Sequence, residues 1–310
     1  MSHDPPAPTC YRHPQRETYV RCVRCDRPIC PDCMNQAPVG WQCPECVAAG
    51  RKATRTARTA FGGGPGGADG VVTKSLIGIN IAVFLVGLVW GFASGAGNIS
   101  DILLGGTNQL HIHGAAVAGP LIPLTNGQYA LLGIANGEYY RLFTAMFLHY
   151  GIIHLAFNMY VLWVVGRFLE RDLGRGRFLA LYLVCGMGGN VATYLFAAPT
   201  TFSAGASSCI FGLFGALLLV NRKQGRDNSG MYALLALNLV ITFLPGTNIS
   251  ITGHIGGLVT GLILGYALSH APRQNRTIIQ VGSFVVVLLL LAGLVVWRTG
   301  ELMSSVPILT

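Results

Sequence analysis

Charged residues are scarce in this sequence. Only 11% of its 310 residues are Asp, Glu, Lys or Arg, whereas an ordinary soluble domain has about 25%. Apolar residues make up 52% of the chain, and the mean hydropathy is +0.52. The composition excludes an ordinary soluble globular domain and is typical of an all-α protein that crosses the membrane several times.

Asp and Glu are missing from the interiors of the long apolar runs. A spanning helix needs about 20 such residues, and we expect seven spans, at 75–96, 142–166, 178–198, 206–221, 230–246, 251–270 and 278–297. The run 206–221 is shorter than the others, so a buried or re-entrant helix is the alternative for that segment. We count it as a span.

Lys and Arg are missing from alternate loops, at 97–139, 199–205 and 246–250. By the positive-inside rule, these loops face outward, the N-terminus is cytoplasmic and the C-terminal tail, 298–310, is external. The net charge of +9 follows from this topology, so no nucleic-acid partner is expected. The polar start of the chain does not look like a cleavable signal peptide, and we expect a multi-pass protein of the plasma membrane.

Cysteine is concentrated near the N-terminus, where seven of the nine cysteines precede residue 47. Four pairs with a two-residue spacing offer eight metal ligands: Cys10 and His13, Cys22 and Cys25, Cys30 and Cys33, and Cys43 and Cys46. The spacing predicts two closed, structural zinc sites. Disulfides are the alternative, but a reducing cytoplasm and the histidine argue against them.

This cysteine-rich head resembles a B-box or a related cross-braced zinc finger. The resemblance implies that the first and third pairs share one ion and that the second and fourth share the other, while sequential pairing stays open. A domain with so few apolar residues would be stabilised in its folded state mainly by metal binding. We expect a zinc-binding domain at 1–50, which docks a cytoplasmic partner that the sequence does not name, and a flexible basic linker at 51–74 beside anionic lipid headgroups.

Polar side chains inside spans are costly and are candidates for function. Within the expected membrane domain, 75–297, they are His149, His154, Asn158, Ser207, Ser208, Asn248 and His254. By the topology above they share a depth near the external face. A polar residue of this kind, taken alone, more often forms a hydrogen bond to a neighbouring helix than takes part in catalysis.

Small residues recur every four positions on two of the spans. Gly253, Gly257, Gly261 and Gly265 form one stripe, and Ser208, Gly212 and Ala216 form the other. Such stripes allow close backbone approach. We therefore expect these two helices to pack together and to bring Ser207 near His254.

The membrane domain resembles the rhomboid family of intramembrane serine proteases. The motifs that carry the resemblance are GEYYRLFTAMF, HYGIIHLAFN, ERDLGRGRF, GASSCIFGLFGA and NISITGHIGGLVTG, in that order. The resemblance implies a six-helix bundle, here with a seventh C-terminal helix appended. It also implies cleavage of transmembrane protein substrates near the external membrane face, with no cofactor in catalysis.

The same resemblance implies roles for individual residues. Ser207, in the family's G-x-S motif, is the nucleophile, and His254 is its base in a Ser-His dyad. His154, Asn158 and the backbone N–H of Ser207 would stabilise the oxyanion, and Phe211 would pack on the catalytic imidazole. Tyr140, Arg141, Glu170 and Gly174 match structural motif positions.

Ser208 departs from the family pattern, which has glycine directly after the nucleophile. It is a rival nucleophile, and its presence leaves the activity to be tested. A non-proteolytic membrane scaffold that binds transmembrane clients is the alternative function. A solute transporter is disfavoured because neither an internal repeat nor polar groups at both faces of the spans are present.

Overall fold

The chain divides into two units, residues 1–57 and residues 58–310. The computed structural model describes residues 6–54, 58–64, 70–94, 99–119, 121–123, 129–242 and 250–304. The predicted Asn248 and the end of the predicted span 230–246 lie outside these residues. Each unit is described separately below.

The N-terminal unit is built of short elements around its cysteines. Strands β1 (Asn35–Gln36) and β2 (Trp41–Gln42) pair antiparallel, and helix α1 runs over Pro44–Ala53. The buried cluster consists of six cysteines and a single aliphatic residue, Ile29. Such a core is too small to drive folding by apolar burial alone, which agrees with the expectation that bound metal supplies the folding energy.

The second unit is a helical bundle. Its helices in the described residues are α2 (Val71–Ala93), α3 (Ile99–Leu104), α4 (Gln109–Gly114), α5 (Arg141–Thr144), α6 (Gly151–Leu173), α7 (Arg175–Phe196), α8 (Ser207–Lys223), α9 (Ser229–Thr242), α10 (Ile251–His270) and α11 (Arg276–Ser304). A short antiparallel hairpin, β3 (Leu121–Pro123) and β4 (Tyr129–Leu131), lies between α4 and α5.

Five of the described helices are long and apolar enough to cross a membrane: α2, α6, α7, α10 and α11. The predicted fourth and fifth spans correspond to shorter helices, α8 with 17 residues and α9 with 14 described residues. An integral, multi-pass membrane protein is therefore confirmed, with five candidate spans in the described chain where the sequence predicted seven.

Most span boundaries differ from the prediction by a few residues, and the second span differs most. The span predicted at 142–166 is helix α6, Gly151–Leu173, because Leu148 and Tyr150 are extended and Gly151 has a φ of 79°, which separates α6 from α5.

Helix α2 begins at Val71 because the buried Glu170 carboxylate accepts hydrogen bonds from the N–H groups of Val72 and Thr73, at 3.0 and 2.9 Å. These groups would otherwise be unpaired donors at a helix start. Helix α11 continues to Ser304, so the predicted tail 298–310 begins as helix; Thr299 on this extension bonds to the Tyr194 hydroxyl at 2.8 Å.

The predicted linker, 51–74, also differs from a uniformly flexible chain. Within it, residues 58–64 form a turn that contacts the membrane unit, and the Phe61 side chain is only 5% exposed. The Gln280 amide donates to the Phe61 carbonyl at 3.2 Å, and Arg276 donates to the Ala60 carbonyl at 3.0 Å. This stretch therefore belongs to the membrane unit and is held by the start of α11.

Helix α8 lies in the centre of the bundle, with α10 crossing it at very short distance. A Cβ atom added to Gly257 would lie 2.0 Å from the Ser208 carbonyl oxygen, and one added to Gly261 would lie 1.9 Å from that of Gly212. Only glycine fits at such a crossing. The predicted contact between the two small-residue stripes is thus confirmed, and it fixes where Ser207 and His254 sit relative to each other.

An ion pair anchors the segment that precedes α6. The Arg141 side chain is fully buried and donates to Glu138 at 2.7 Å and to the Ala115 carbonyl at 2.9 Å. Burial opposes ionisation of Glu138, but hydrogen bonds from Arg141 and from the Gly133 N–H hold its pKa below the usual value. Arg141 therefore has a structural role, as the sequence interpretation expects, in tying the first loop to α5.

Candidate active site

Ser207 is the first residue of α8, directly after a turn that only glycine adopts easily. Gly205 has a φ of 144°, and its N–H is fixed by the Ala145 carbonyl at 2.9 Å. A Cβ at Gly205 would lie 3.0 Å from the His154 ring and 3.4 Å from Ser207 Oγ. The turn therefore leaves a small space that both the Ser207 hydroxyl and the His154 imidazole border.

His154 and Asn158 lie one turn apart on α6, as predicted. The His154 ring approaches Gly205, as described above. The Asn158 side chain is buried and donates from Nδ2 to the His154 carbonyl at 3.0 Å, within its own helix. The structure thus brings His154 to Ser207, whereas one of the two amide protons of Asn158 is already used by the helix.

His254 is buried on α10 and is held on two sides. Its ring stacks on Phe211 with centroids 4.0 Å apart and an interplanar angle of 15°, as predicted for that aromatic residue. Its Nδ1 lies 2.8 Å from the hydroxyl oxygen of Thr242 on α9. Its Nε2 is buried without a hydrogen-bond partner in the described part of the chain.

His254 stacks on Phe211, which lies one turn after Ser207 on α8, and the described residues contain no hydrogen bond between Ser207 and His254. Long or absent bonds between a nucleophile and its base are common in enzymes without substrate. The unpartnered Nε2 is the nitrogen that such a bond would use.

Ser208, the rival nucleophile, packs between two helices. A Cβ on Gly189 would lie 2.8 Å from its Oγ, and one on Gly253 would lie 2.9 Å from the same atom. The Ser208 hydroxyl is thus wedged between α7 and α10, and its residue is 5% exposed. Both serines line the same cavity, but Ser207 is the more exposed of the two, which favours it as the nucleophile.

His149 supports the turn before α8 rather than the reacting groups. Its Nε2 accepts a long hydrogen bond from the Ala206 N–H, at 3.5 Å. Its ring lies 5.2 Å from that of His154, centroid to centroid.

A cavity of about 860 Å³ opens onto these groups. Among its lining residues are Tyr150, His154 and Phe157 from α6 and its start, Ser207 from α8, and Ile241 from α9. No charged side chain lines it within the described residues. Its volume lies in the range of ligand-binding pockets, and its walls combine apolar side chains with serine and threonine hydroxyl groups.

Thr242 is the residue of this site that the sequence analysis missed. A threonine in an apolar helix usually bonds to its own backbone, so the sequence offered no signal that its hydroxyl would meet an imidazole on another helix.

The eight predicted metal ligands form two groups of four in the N-terminal unit. One contains Cys10, His13, Cys30 and Cys33, and the other contains Cys22, Cys25, Cys43 and Cys46, with all ligand atoms of a group within 4.8 Å of one another. The cross-braced grouping is thus observed and the sequential one is not. Both groups could hold a metal ion.

Distances inside these groups fit tetrahedral coordination. His13 Nδ1 lies 3.3 Å from Cys30 Sγ and 3.5 Å from Cys33 Sγ, and the Sγ atoms of Cys25 and Cys43 are 3.7 Å apart. Bonds of about 2.3 Å to a tetrahedral zinc separate sulfur atoms by roughly 3.7 Å, whereas a disulfide needs about 2.05 Å. The ligand atoms are therefore spaced for an ion and not for disulfides.

Two thiols of the same ligand group have opposite pKa shifts: a hydrogen bond with Cys43 and burial raise the pKa of Cys46 to about 12, whereas that of Cys22 is lowered. Burial raises the pKa of Cys22, but N–H donors from Cys43, Arg24 and Cys25 outweigh burial and lower the pKa to about 6. The bond from the Cys43 N–H measures 3.2 Å. Thiolates rather than thiols bind metal.

Fold and site together define a helical membrane protein with a serine, two histidines and a cavity at one helix start. The model of the Rhomboid domain family matches residues 136–271, which include all of these groups. The chain is 39% identical over 140 residues to "Putative rhomboid protease YdcA" of Bacillus subtilis (strain 168), covering 44% of this chain and 70% of that protein. The chain therefore belongs to the rhomboid family.

Two further relatives match the same part of the chain. "Rhomboid protease GluP" of Bacillus subtilis (strain 168) is 46% identical over 140 residues, which are 44% of this chain and 27% of that protein. "RHOMBOID-like protein 6, mitochondrial" of Arabidopsis thaliana is 37% identical over 149 residues, which are 46% of this chain and 48% of that protein. The chain thus spans less than half the length of both, and the similarity concerns their rhomboid regions.

Proposed function

We propose that this protein is an intramembrane serine endopeptidase that cleaves transmembrane substrates with a Ser207–His254 dyad. The observation that carries the proposal is the combination of three groups: the Ser207 hydroxyl at the cavity, the His154 ring that borders the same space, and the buried His254, whose Nε2 has no hydrogen-bond partner among the described residues. Family membership makes proteolysis the first function to consider, and the relatives named as proteases support it.

The reaction follows from the chemistry of these groups. His254 Nε2 accepts the proton of Ser207 Oγ as the oxygen attacks the scissile carbonyl carbon, and the carbonyl π electrons move to oxygen. The imidazolium then gives its proton to the leaving amine as the C–N bond breaks. A water molecule, deprotonated by the same histidine, then attacks the acyl carbonyl carbon, and the imidazolium returns the proton to Ser207 Oγ as the ester C–O bond breaks.

The oxyanion needs donors that already point to it. His154 lies beside the Ser207 hydroxyl, and the Ser207 N–H belongs to the first turn of α8, where backbone N–H groups lack helical acceptors and the helix dipole favours negative charge. Asn158 is the third candidate, through its second amide proton.

The cleavage site lies toward the external face in this proposal. The support is the charge asymmetry of the loops, with Lys and Arg absent from 97–139 and 199–205. The same asymmetry supports a cytoplasmic N-terminus and an external C-terminus in this proposal, with the plasma membrane as the proposed location. Deacylation needs water, which is available near a membrane face and not at its centre.

The N-terminal unit binds two structural zinc ions in this proposal, one in each group of four ligands. Each group supplies a complete tetrahedral set, so neither leaves a position for catalytic water. The unit would dock a cytoplasmic partner, while catalysis needs no metal.

The alternative is a membrane scaffold that binds transmembrane clients without cutting them. Labelling with a fluorophosphonate separates the two, because only an activated serine reacts. The purified protein in detergent should be labelled, Ser208→Ala should remain labelled and Ser207→Ala should not. Equal labelling of wild type and Ser207→Ala, or no labelling of folded wild type, would contradict the protease assignment.

A further inference from the structure

We propose that Thr242 is a positioning residue that holds His254 in the tautomer and orientation needed for a base. The proposal rests on the proposed function, since it assigns the partner of the dyad histidine. It concerns the 2.8 Å contact between Thr242 Oγ1 and His254 Nδ1.

The direction of this hydrogen bond follows from the other bond that Thr242 makes. Its hydroxyl lies 2.7 Å from the Asn238 carbonyl oxygen, one turn earlier in α9, and donates to it. A hydroxyl has a single proton. The oxygen must therefore accept from His254, which places the imidazole proton on Nδ1.

That tautomer leaves Nε2 unprotonated, which is the form that can take a proton from serine. Which ring nitrogen of a histidine carries the proton is set by the bond that the other nitrogen makes. Nε2 is buried with no partner in the described part of the chain, so Thr242 is the group there that selects the tautomer. The 15° stacking on Phe211 fixes the ring plane, and the Thr242 bond fixes the rotation within that plane.

The hydrogen bond between Thr242 and His254 does more than hold two helices together. Thr242 is only 4% exposed, and its bond to Asn238 alone would satisfy the hydroxyl proton without an imidazole nearby. The additional contact joins α9 to α10, so the orientation of the base depends on where the turn of α9 that carries Thr242 lies. Ile241, the preceding residue, lines the cavity.

The Thr242 hydroxyl should contribute less to catalysis than the carboxylate of a Ser-His-Asp triad does. It selects the tautomer and orients the ring, but it carries no charge to stabilise the imidazolium. A neutral hydrogen bond contributes about 0.5–1.5 kcal/mol. Its loss should therefore reduce kcat by about twofold to tenfold rather than by the larger factor seen when a triad aspartate is replaced.

The test compares Thr242→Val, which keeps the shape and removes the hydroxyl, with Thr242→Ser, which keeps the hydroxyl. The readouts are kcat and KM for a transmembrane substrate, the second-order rate of fluorophosphonate labelling, and Tm in detergent. We expect Thr242→Val to lower kcat and the labelling rate by about twofold to tenfold, with KM nearly unchanged and a modest fall in Tm because the buried Nδ1–H loses its acceptor, and Thr242→Ser to stay near wild type. A wild-type rate in Thr242→Val, or equal loss in both variants, would overturn the proposal.

Two additional measurements test the proposal if Thr242→Val does not fold and separate it from a failure of the proposed function. If Thr242→Val does not fold, ¹⁵N NMR of wild type with labelled histidine reports the His254 tautomer directly: protonation at Nδ1 supports the proposal, and protonation at Nε2 overturns it. Ser207→Ala is measured in parallel. Labelling kept in Ser207→Ala defeats the proposed function itself, whereas labelling lost there with a normal rate in Thr242→Val defeats only the role of Thr242.

Discussion

Replacing Gly261 by alanine should separate α8 from α10 and so disturb both the stability and the activity of the protein. The added Cβ would lie 1.9 Å from the Gly212 carbonyl oxygen and 2.5 Å from Gly212 Cα. Favourable non-bonded contacts begin near 3.5 Å. The two backbones would therefore have to part by roughly 1.5 Å at this point, because no flexible side chain is available to move instead.

Overpacking of a core costs typically about 1–3 kcal/mol, and a clash with backbone should lie at the upper end. The effect on catalysis follows from the same movement, since α8 carries Ser207 and α10 carries His254. A displacement of about 1 Å at reacting groups can cost about 100-fold in rate. We therefore expect Gly261→Ala to lower Tm and to reduce the fluorophosphonate labelling rate by about two orders of magnitude.

Gly293→Ala is the matched control for this experiment. Gly293 is also a helical glycine, on α11, but a Cβ there meets nothing within 4 Å. Thermal unfolding in detergent and the labelling rate are measured for both variants. The reasoning fails if Gly261→Ala matches wild type in both, or if Gly293→Ala loses as much as Gly261→Ala.

Three further predictions concern other parts of the molecule. His154→Ala should keep the Tm of wild type but slow cleavage by about 10²–10³, because it removes one oxyanion donor; an unchanged kcat would make His154 a packing residue. Deleting residues 1–57 should leave cleavage of a substrate in detergent nearly unchanged, whereas deleting 1–64 should lower Tm, because it also removes the buried Phe61; equal Tm values would show that the turn at 58–64 contributes no stability. Metal analysis of the full chain should find two zinc ions, lost on deleting 1–57; one ion or none would contradict the two-site assignment.

The contact between α8 and α10 could be predicted because small residues repeat every four positions, and that period places them on one helix face. The start of α2 could not be predicted, since it depends on Glu170, which lies about a hundred residues away in sequence. The cross-braced metal grouping was likewise undecided, because identical spacings within pairs carry no information on which pairs meet.

The residues of the site also divide into those that could be predicted from the sequence and those that could not. The roles of Ser207, His254 and His154 were predicted from the resemblance to the rhomboid family. Thr242 has no such signal in the sequence, because its hydroxyl meets an imidazole only when α10 lies beside α9. Phe61 was missed because it stands beside glycines, whose composition indicates a flexible linker, and its burial depends on the position of α11.

The most direct test of the central claim is cleavage in proteoliposomes that contain the purified protein and a transmembrane substrate. Wild type should release a product cut near the external end of the substrate's span. Ser207→Ala and His254→Ala, each shown to be folded by its Tm, should release none above background. Cleavage that persists in folded Ser207→Ala would contradict the assignment of the nucleophile and, with it, the proposed function.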